Sequence, residues 1–367
     1  MSTLLDVIRE EITHEGPISV ERFMSLALGH PSLGYYMAHE PFGTGGDFTT
    51  APEISQMFGE LIGLWAANVW IGMGSPAAVK LVEVGPGRGT LMADAWRAAA
   101  IVPGFREAMS IHLVETSDRL RTRQNETLAP FGQLVSWHHA VEDVPEGPAI
   151  FIANEFFDAL PVRHYVKMEG GWCERRIGLS ADGQLMFGVA RESEPYIAVE
   201  APTGSILEIG AIGQRIMTSL AARIVSQGGA LVAIDYGYTQ TALGETLQAV
   251  QNHQFVDVLS EPGVADITTH VDFSALARAA RSTNAAVHGP VTQGDFLRRL
   301  GLHERASMLK AHATSEQAAA VDAAVQRLAG PGPQQGADAT MADLFKVIAV
   351  TPREAAVPVG FSDESVA

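Results

Sequence analysis

The alternation of apolar and polar positions predicts strands and helices that follow one another along most of the chain. From Val79 onwards, apolar runs of strand length are separated by segments with apolar residues at helical spacing. The predicted strands are 79–84, 110–115, 134–137, 149–153, 229–235, 284–288 and 343–350. The predicted helices between them are 90–100, 117–129, 211–227, 272–282, 292–300 and 314–329. This alternation predicts an α/β, Rossmann-like fold with a mostly parallel seven-stranded sheet and helices on both faces.

Two other parts of the chain have different patterns. Near the start, apolar residues at helical spacing predict a helix over 3–14, and Ser19 can cap a second helix that runs to Leu28. Residues 162–209 contain short strand-like runs between glycine-rich turns, which predicts an antiparallel insertion after the fourth strand. We therefore divide the chain into N-terminal helices with a lid segment, a main domain that includes the insertion, and a flexible tail: 1–75, 76–352 and 353–367.

A glycine turn follows the first predicted strand and precedes a predicted helix, as in many nucleotide and nucleoside pockets. Gly85, Gly87 and Gly89 form this turn, and Glu83 lies inside the preceding strand. A dinucleotide fingerprint would read G-x-G-x-x-G, with an acid roughly 20 residues later. The spacing here is G-x-G-x-G, as in motif I of class I S-adenosylmethionine (SAM) methyltransferases. Dinucleotide binding and a purely structural turn remain alternatives at this point.

Acidic residues also follow the second and third predicted strands. Because ligands of open α/β sheets bind at the carboxyl ends of the strands, these positions are candidates for cofactor binding. Glu115 can accept hydrogen bonds from both hydroxyls of a ribose, and Ser117 is predicted to cap the next helix. Glu142 or Asp143 can lie beside an adenine or can be solvated carboxylates.

The fourth predicted strand ends in the candidate catalytic residues Asn154, Glu155 and Asp158. Asn154 to Phe157 fits the [Asn/Asp/Ser]-x-x-[Phe/Tyr] pattern of many methyltransferases that act on nitrogen. The asparagine carbonyl can accept a hydrogen bond from the nucleophilic nitrogen, and Asn154 also lies where it can contact the cofactor. Carboxylates suit a guanidinium held by two hydrogen bonds. The alternative is that the aromatic rings belong to the core and that Asp158 caps a turn.

Composition limits the classes of function. The formal net charge of −17 argues against nucleic-acid binding, which needs clustered Lys and Arg. Cys173 is the only cysteine, which indicates a reducing compartment, and no His or Cys pair has metal-ligand spacing. The acidic start of the chain is unlike a secretory or transit peptide, and the apolar stretch 54–73 predicts a buried helix rather than a membrane span. We predict a soluble, cytoplasmic protein. His270 can titrate near neutral pH or can be structural.

Three motifs together resemble the MidA family of methyltransferases. They are Gly34-Tyr35-Tyr36 with Gly45 to Ile54, then Val82 to Leu91, and then Ala153 to Pro161. Shorter matches are Asp235-Tyr236-Gly237, Thr269 to Phe273, Thr292 to Leu297 and Leu344 to Val347. The resemblance spans nearly the whole chain and implies the class I SAM-dependent methyltransferase fold. At Glu208-Ile209-Gly210-Ala211 the chain departs from the Glu-x-Ser-Pro expected of the family.

The resemblance implies SAM as the methyl donor. It also implies methylation of an accessible protein arginine, since the family includes the mitochondrial respiratory complex I assembly factor, which acts as a protein arginine methyltransferase. A complex I subunit is then a candidate partner. The glycine-rich loop from Gly45 to Glu53, which by composition is either a lid or a surface turn, becomes functional, with Asp47 and Thr49 near the amino acid end of SAM. Two alternatives remain: a methyltransferase for a small amine, and a non-catalytic assembly chaperone. The degree of methylation and the oligomeric state stay open.

Overall fold

The computed structural model describes residues 3–38, 50–330 and 340–361. The chain folds into two compact units, each assembled from segments that are distant in the sequence. The described residues of the first unit are 3–38, 158–215 and 240–272, and those of the second are 50–157, 216–239, 273–330 and 340–361. The division of the chain after residues 75 and 352 stays a prediction.

The helices and strands are numbered here in chain order. The helices are α1 (Leu4–Glu15), α2 (Val20–Gly29), α3 (Tyr35–Ala38), α4 (Ala51–Ile54), α5 (Gln56–Gly72), α6 (Thr90–Ala99), α7 (Phe105–Ala108), α8 (Asp118–Leu128), α9 (Ala211–Gln227), α10 (Phe273–Arg281), α11 (Gln293–Arg299), α12 (Leu302–Lys310), α13 (Ser315–Ala329) and α14 (Met341–Leu344). The strands are β1 (Ile18–Ser19), β2 (Val79–Val84), β3 (Met109–Val114), β4 (Val135–His138), β5 (Ala149–Asn154), β6 (Arg163–Met168), β7 (Gly171–Leu179), β8 (Leu185–Ser193), β9 (Ile206–Ile209), β10 (Gly229–Tyr238), β11 (Gln248–Gln251), β12 (Gln254–Val256), β13 (Asp266–Thr268), β14 (Val271–Asp272), β15 (Ala286–Thr292) and β16 (Phe345–Thr351).

The second unit contains a mixed sheet with the strand order β15-β16-β10-β5-β2-β3-β4. The five strands from β10 to β4 pair in parallel, whereas β16 runs antiparallel to both β10 and β15. The seven predicted strands and the mostly parallel sheet are therefore confirmed. The predicted helices of this unit are confirmed too, with ends no more than one residue from those observed.

The core of the second unit lies on the sheet face that α5 and α6 cover. The α5 side chains Leu61, Ile62 and Trp65 are buried together with Ile111 of β3. A helix that is apolar on all sides is expected to be buried, so the prediction of a buried helix in the stretch 54–73 is confirmed. Its buried Glu60 is neutralised by Arg305, whose guanidinium donates two hydrogen bonds to the carboxylate at 2.7 and 2.9 Å.

The first unit is built from the N-terminal helices and the insertion. Strands β6, β7, β8 and β9 pair antiparallel, which confirms the predicted antiparallel insertion. Apolar faces of α1 and α2 pack with this sheet in one cluster that includes Ile8, Phe23 and Ile177. Ser19 caps α2 as predicted, since its hydroxyl accepts a hydrogen bond from the N–H of Arg22 at 3.0 Å.

Some elements were not predicted. The small sheet β12-β11-β13 has strands of three or four residues, which are too short to give a clear alternation of apolar and polar positions. Helix α12 has only two buried side chains, Leu302 and Ala306, so it also has little periodic signal. In the stretch predicted as a flexible tail, the chain packs as far as Phe361, whose ring lies 5.3 Å from that of Phe296. No helix in the described part of the chain is long and apolar enough to cross a membrane.

Candidate active site

Three neighbouring parallel strands bring the predicted site residues of the second unit to one edge of the sheet. Val84 at the end of β2 pairs with Val114 at the end of β3 and adjoins Ala153 of β5. Gly85, Glu115 and Asn154 therefore stand at equivalent levels at the carboxyl ends of these strands. The N–H of Gly85 donates to the carbonyl of Val114 at 3.1 Å, which ties the glycine turn to β3.

The glycine turn adopts a backbone conformation that side chains disfavour. Gly85, Gly87 and Gly89 have φ angles of 67°, 52° and 80°, all in the left-handed region. A Cβ on Gly85 would lie 3.0 Å from the ring of Phe156, which follows β5. The glycine turn and the turn after β5 are thus packed against one another. Helix α6 begins directly after Gly89. The N–H groups in the first turn of such a helix are suited to an anionic or polar ligand group.

Glu83 lies under this turn and is buried. One carboxyl oxygen accepts a hydrogen bond from the backbone of Met92 in the first turn of α6, and Oε2 has no partner among the residues that the structure describes. Burial raises the pKa of Glu83 to about 8, and the hydrogen bond from Met92 only partly offsets this. A cationic ligand group near Glu83 would stabilise its ionised form.

Glu115 is held at the end of β3 by hydrogen bonds to its carboxylate from Ser117, Gln124 and the backbone of Thr116. Its Oε1 accepts from the N–H of Ser117 at 2.9 Å, and its Oε2 accepts from Nε2 of Gln124 at 3.1 Å. Burial raises the pKa of Glu115, while these donors act in the opposite direction. A carboxylate has about four acceptor sites, so Glu115 keeps capacity for a ribose hydroxyl. Ser117 caps α8 as predicted.

Gln124 is a candidate site residue that the sequence interpretation missed. It is fully buried in α8, where its Nε2 also donates to the carbonyl of Gly87 at 2.8 Å and its Oε1 accepts from Nε1 of Trp137 at 2.9 Å. It joins the glycine turn to Glu115. A signal existed: Leu120, Gln124 and Leu128 are spaced by four residues, so a polar side chain occupies the buried stripe of the helix.

The end of β5 places Asn154 and Glu155 in direct contact. Nδ2 of Asn154 donates to Oε1 of Glu155 at 3.3 Å, and the N–H of Ala51 donates to the same oxygen at 3.2 Å. Oδ1 of Asn154 is buried and has no partner in the described ranges 3–38, 50–330 and 340–361. The turn after β5 is fixed by Asp235 of β10, whose Oδ2 accepts from the N–H of Phe157 at 2.9 Å.

The short helix α4 connects this end of β5 with the glycine turn. Its first N–H, that of Ala51, donates to Glu155, as described above. Its Glu53 accepts a hydrogen bond from the hydroxyl of Thr90 at 2.6 Å and lies 3.4 Å from the guanidinium of Arg88. The carboxyl end of the predicted lid loop is therefore bound both to the glycine turn and to the turn after β5. Asp47 and Thr49, the predicted cofactor residues in that loop, lie outside the described residues.

Asp158 belongs to the first unit, so its predicted role beside Asn154 and Glu155 stays a prediction. It is buried, and its carbonyl accepts from the N–H of Thr269 at 3.0 Å. In the same unit, the hydroxyl of Tyr36 donates to Asp266 at 3.0 Å. Burial, followed by the charges of Asp266 and Asp158, raises the pKa of Tyr36 well above its usual value.

The other acidic and titratable candidates make local contacts. Asp143 accepts from the N–H of Ala140 at 3.0 Å, and Glu142 accepts from the hydroxyl of Ser219 at 3.1 Å. The N–H of His270 donates to the hydroxyl of Thr246 at 2.9 Å. Contacts near Glu208, where the sequence departs from the family pattern, involve the backbone N–H of Thr246 at 2.8 Å and the ring of His164 at 3.0 Å. These contacts are consistent with structural roles.

The site of the second unit fits SAM. The glycine turn has left-handed φ angles that side chains disfavour, Glu115 has spare acceptor capacity for a ribose hydroxyl, and Glu83 offers a buried carboxyl to a cation. No group of three or more His, Cys, Asp or Glu residues that could hold a metal ion occurs in the described part of the chain. The strand order, the G-x-G-x-G turn and the carboxylate after the next strand define the class I SAM-dependent methyltransferases.

Comparisons with known proteins agree with this class. Residues 61–291 match the family described as "Putative S-adenosyl-L-methionine-dependent methyltransferase", and the chain belongs to this family. It is similar to the protein arginine methyltransferase NDUFAF7 of Danio rerio, with 37% identity over 84% of this chain and 78% of that protein. The NDUFAF7 homolog of Drosophila melanogaster is 37% identical over 95% of this chain and 85% of that protein.

A solved structure supports both the fold and the cofactor. A Burkholderia thailandensis protein, described as a "likely methyl transferase" and crystallised with S-adenosyl-homocysteine, has 27% sequence identity and a TM-score of 0.85. The similarity covers 99% of this chain and 96% of that one. S-adenosyl-homocysteine is the product that remains when SAM has given up its methyl group. The protein is thus a SAM-dependent methyltransferase, as the sequence motifs predict.

The predicted cytoplasmic location is wrong. The relatives from Danio rerio, Drosophila melanogaster and Homo sapiens are all named as mitochondrial proteins. The prediction rested on the reducing character of a single-cysteine chain and on the acidic start of the sequence. Neither property distinguishes the cytoplasm from another reducing compartment.

Proposed function

We propose that this enzyme transfers the methyl group of SAM to a guanidinium nitrogen of a protein arginine. The observation that carries the proposal is the buried Oδ1 of Asn154, which has no partner in the described residues and stands at the end of β5 beside the strand that carries the glycine turn. A buried acceptor of this kind costs free energy unless a donor reaches it. An N–H of the methyl acceptor would satisfy it.

The residues of this chain would act by positioning. SAM supplies a methyl group on a sulfonium, and the reaction needs an in-line approach of the nitrogen more than it needs a strong base. Asn154 would accept one N–H of the guanidinium and direct the lone pair of that nitrogen. The ring of Phe156 packs against Gly85. It would contact the acceptor on the side that faces the glycine turn. The nitrogen would take the methyl group as the bond between that carbon and sulfur breaks, which would leave S-adenosyl-homocysteine, and it would then release its proton to water.

Arginine is favoured over other nitrogen acceptors by the names of the relatives. Proteins named as arginine methyltransferases match more than four fifths of this chain at 37% identity. The excess of carboxylates in the sequence, with 42 Asp and Glu against 25 Lys and Arg, also suits a basic acceptor protein. A subunit of respiratory complex I is the acceptor that the MidA resemblance favours.

The test is methylation of paired peptides with SAM that carries a labelled methyl group. One peptide contains an arginine among basic residues, and its partner has lysine at that position. Mass spectrometry is expected to find methylarginine in the first peptide and no label in the second. The Asn154→Ala variant should keep SAM binding within about threefold and lose at least about 100-fold in turnover, because only the alignment of the acceptor is affected.

Three other outcomes would overturn the proposal. Label in the lysine peptide, or only in small amines, would identify a different acceptor class. SAM binding with no turnover on any arginine acceptor would favour the chaperone hypothesis. Finally, arginine methylation of complex I subunits should disappear in cells that carry only the Asn154→Ala variant, and unchanged methylation there would exclude these subunits as acceptors.

A further inference from the structure

We infer that Glu155 is a positioning residue that sets the orientation of the Asn154 side chain, rather than a group that binds the guanidinium. This inference rests on the proposed function, since it concerns how the acceptor nitrogen is aligned. It starts from the contact between the two side chains, in which Nδ2 of Asn154 lies 3.3 Å from Oε1 of Glu155.

A carboxylate can only accept hydrogen bonds, whereas a carboxamide has a donor end and an acceptor end. The end of the Asn154 amide that faces Glu155 must therefore be the NH₂ group. Rotation of the amide by 180° would bring two oxygens together and would leave Oε1 with one donor fewer. Glu155 thus fixes Oδ1 of Asn154 on the opposite side, where it is buried without a partner among the described residues.

The orientation matters because the two ends of the amide have opposite effects on a nucleophile. Oδ1 accepts an N–H of the acceptor and leaves the lone pair of that nitrogen available for attack. The NH₂ group would instead donate to that lone pair and block it. The fixed orientation therefore selects an acceptor nitrogen that still carries a hydrogen, as in arginine or monomethylarginine, and excludes a fully substituted nitrogen.

Glu155 is itself held in a strained conformation. Its φ angle is 50°, in the left-handed region that residues other than glycine rarely adopt. Its N–H donates to the carbonyl of Ile234 at 2.9 Å, and its Oε1 accepts from Ala51 as well as from Asn154. Strain of this kind persists where surrounding contacts over-determine it, and it is concentrated at functional sites. The contacts here hold the carboxylate beside the amide.

Two substitutions separate positioning from charge. Glu155→Met removes the acceptor oxygens at similar side-chain length, and it is expected to lower kcat by about 10- to 100-fold, as misplacement of a reacting group does. Glu155→Gln removes the charge but keeps an oxygen for the N–H groups of Asn154 and Ala51. It should retain most of the wild-type kcat, within about threefold. The SAM Kd should change by less than about threefold in both variants. If Glu155→Gln were as damaging as Glu155→Met, the carboxylate charge would be required and the inference would be overturned.

A matched control is Glu53→Met, which releases the other end of α4 from Thr90 and Arg88. It should weaken SAM binding more than it lowers kcat at saturating SAM, because it acts on the glycine turn and leaves the amide of Asn154 facing a carboxylate. A fall in kcat equal to that of Glu155→Met would mean that loosening of α4, and not the amide, explains the effect.

A second readout does not depend on the acceptor. In wild-type protein bound to S-adenosyl-homocysteine, the side-chain NH₂ resonances of Asn154 should be protected from hydrogen exchange, and in Glu155→Met this protection should fall at least about tenfold. Both proteins should keep the same dispersed backbone spectrum, which shows that they fold. If no arginine peptide is methylated but the protection is lost as expected, the proposed function fails and the positioning role stands. Equal protection in the two proteins would overturn the positioning role.

Discussion

Gly85 is subject to two separate restrictions, on its backbone angle and on the space around its Cα. Its φ is 67°, and a Cβ would lie 3.0 Å from the ring of Phe156. Gly74, at the end of α5, has a φ of 84° and nothing within 4 Å of a built Cβ. The two glycines therefore share the backbone restriction and differ in the crowding.

The Gly85→Ala variant tests whether that crowding shapes the cofactor site. Both Gly85→Ala and Gly74→Ala should lose about 1 kcal/mol of stability from left-handed strain. Only Gly85→Ala should also weaken SAM binding, by at least about tenfold, because the ring of Phe156 must move or the turn must open. Calorimetric titration with SAM and urea denaturation measure the two effects. Equal SAM affinity in the two variants would show that the contact with Phe156 has no part in binding.

Glu83 makes stability depend on pH. Its pKa is raised to about 8 in the folded chain from an ordinary value of 4.5, so the folded state binds a proton more tightly than the unfolded state does. The stabilisation from this proton is complete below the unfolded pKa and is lost as the pH rises through the folded pKa. The free energy of unfolding therefore contains a contribution that falls between about pH 4.5 and pH 8.

The Glu83→Gln variant should remove this contribution. An amide keeps an oxygen for the N–H of Met92 and has no proton to lose. In the absence of SAM, the stability of the variant relative to wild type should increase by about 2 kcal/mol from pH 6 to pH 8.5, since one pKa unit corresponds to about 1.4 kcal/mol. Urea denaturation of both proteins at the two pH values measures it. A difference that does not vary with pH would show that Glu83 keeps one protonation state over this range.

At the scale of elements, helix α8 contributes a buried polar side chain to the site. Replacement of Gln124 by Leu would remove the donor to Glu115 and to the carbonyl of Gly87, and would leave Nε1 of Trp137 without its acceptor. We expect SAM affinity to fall about 10- to 100-fold, in line with the loss of one hydrogen bond to a charged group.

Gln293 of α11 offers a matched control. It is also fully buried, and its Nε2 donates to the carbonyl of Leu328 at 3.1 Å. Both Gln293→Leu and Gln124→Leu should lower the melting temperature. Only Gln293→Leu should keep the wild-type Kd for SAM. If both variants lost affinity to the same extent, general destabilisation and not the contacts of Gln124 would be responsible.

The elements themselves could be predicted well where their pattern was long. Helices such as α9 and α13 have enough turns to show a clear 3.6-residue period, and β2 and β5 end in recognisable turns. Short elements such as α4 and β12 were missed, because three or four residues carry no period. Glu83, Glu115 and Asn154 could be chosen as candidate site residues from their positions at or next to strand ends. The roles of Gln124 and Glu53 could not be predicted, because they depend on contacts with residues far away in the sequence.

At the scale of the whole molecule, the negative charge is unevenly divided between the two units. The first unit contains 20 Asp and Glu but 8 Lys and Arg, a formal charge of −12 out of the total of −17. The second unit contains 22 Asp and Glu and 17 Lys and Arg. The first unit is therefore expected to attract a basic protein more strongly than the second. Salt screens such attraction over about 8–10 Å at physiological ionic strength.

Methylation of a basic peptide should therefore depend on ionic strength. Between 50 and 300 mM NaCl, the KM for a peptide with several basic residues around its arginine is expected to rise about three- to tenfold, because screening weakens long-range attraction. A peptide in which the flanking basic residues are replaced by serine should show less than about a twofold change. Initial rates at saturating SAM measure both. Equal salt dependence for the two peptides would argue against attraction by the acidic surface.

Local patterns in the sequence were sufficient for the α/β class and the order of most elements, whereas the type of cofactor came from the resemblance to the MidA family. The local patterns were sufficient because the period of apolar residues and the φ angles open to glycine depend on neighbours within a few positions. The tertiary structure decided the rest. The pKa of Glu83 follows from burial, and the orientation of Asn154 follows from its contact with Glu155. The assembly of each unit from separate segments follows from packing between residues that the sequence places far apart.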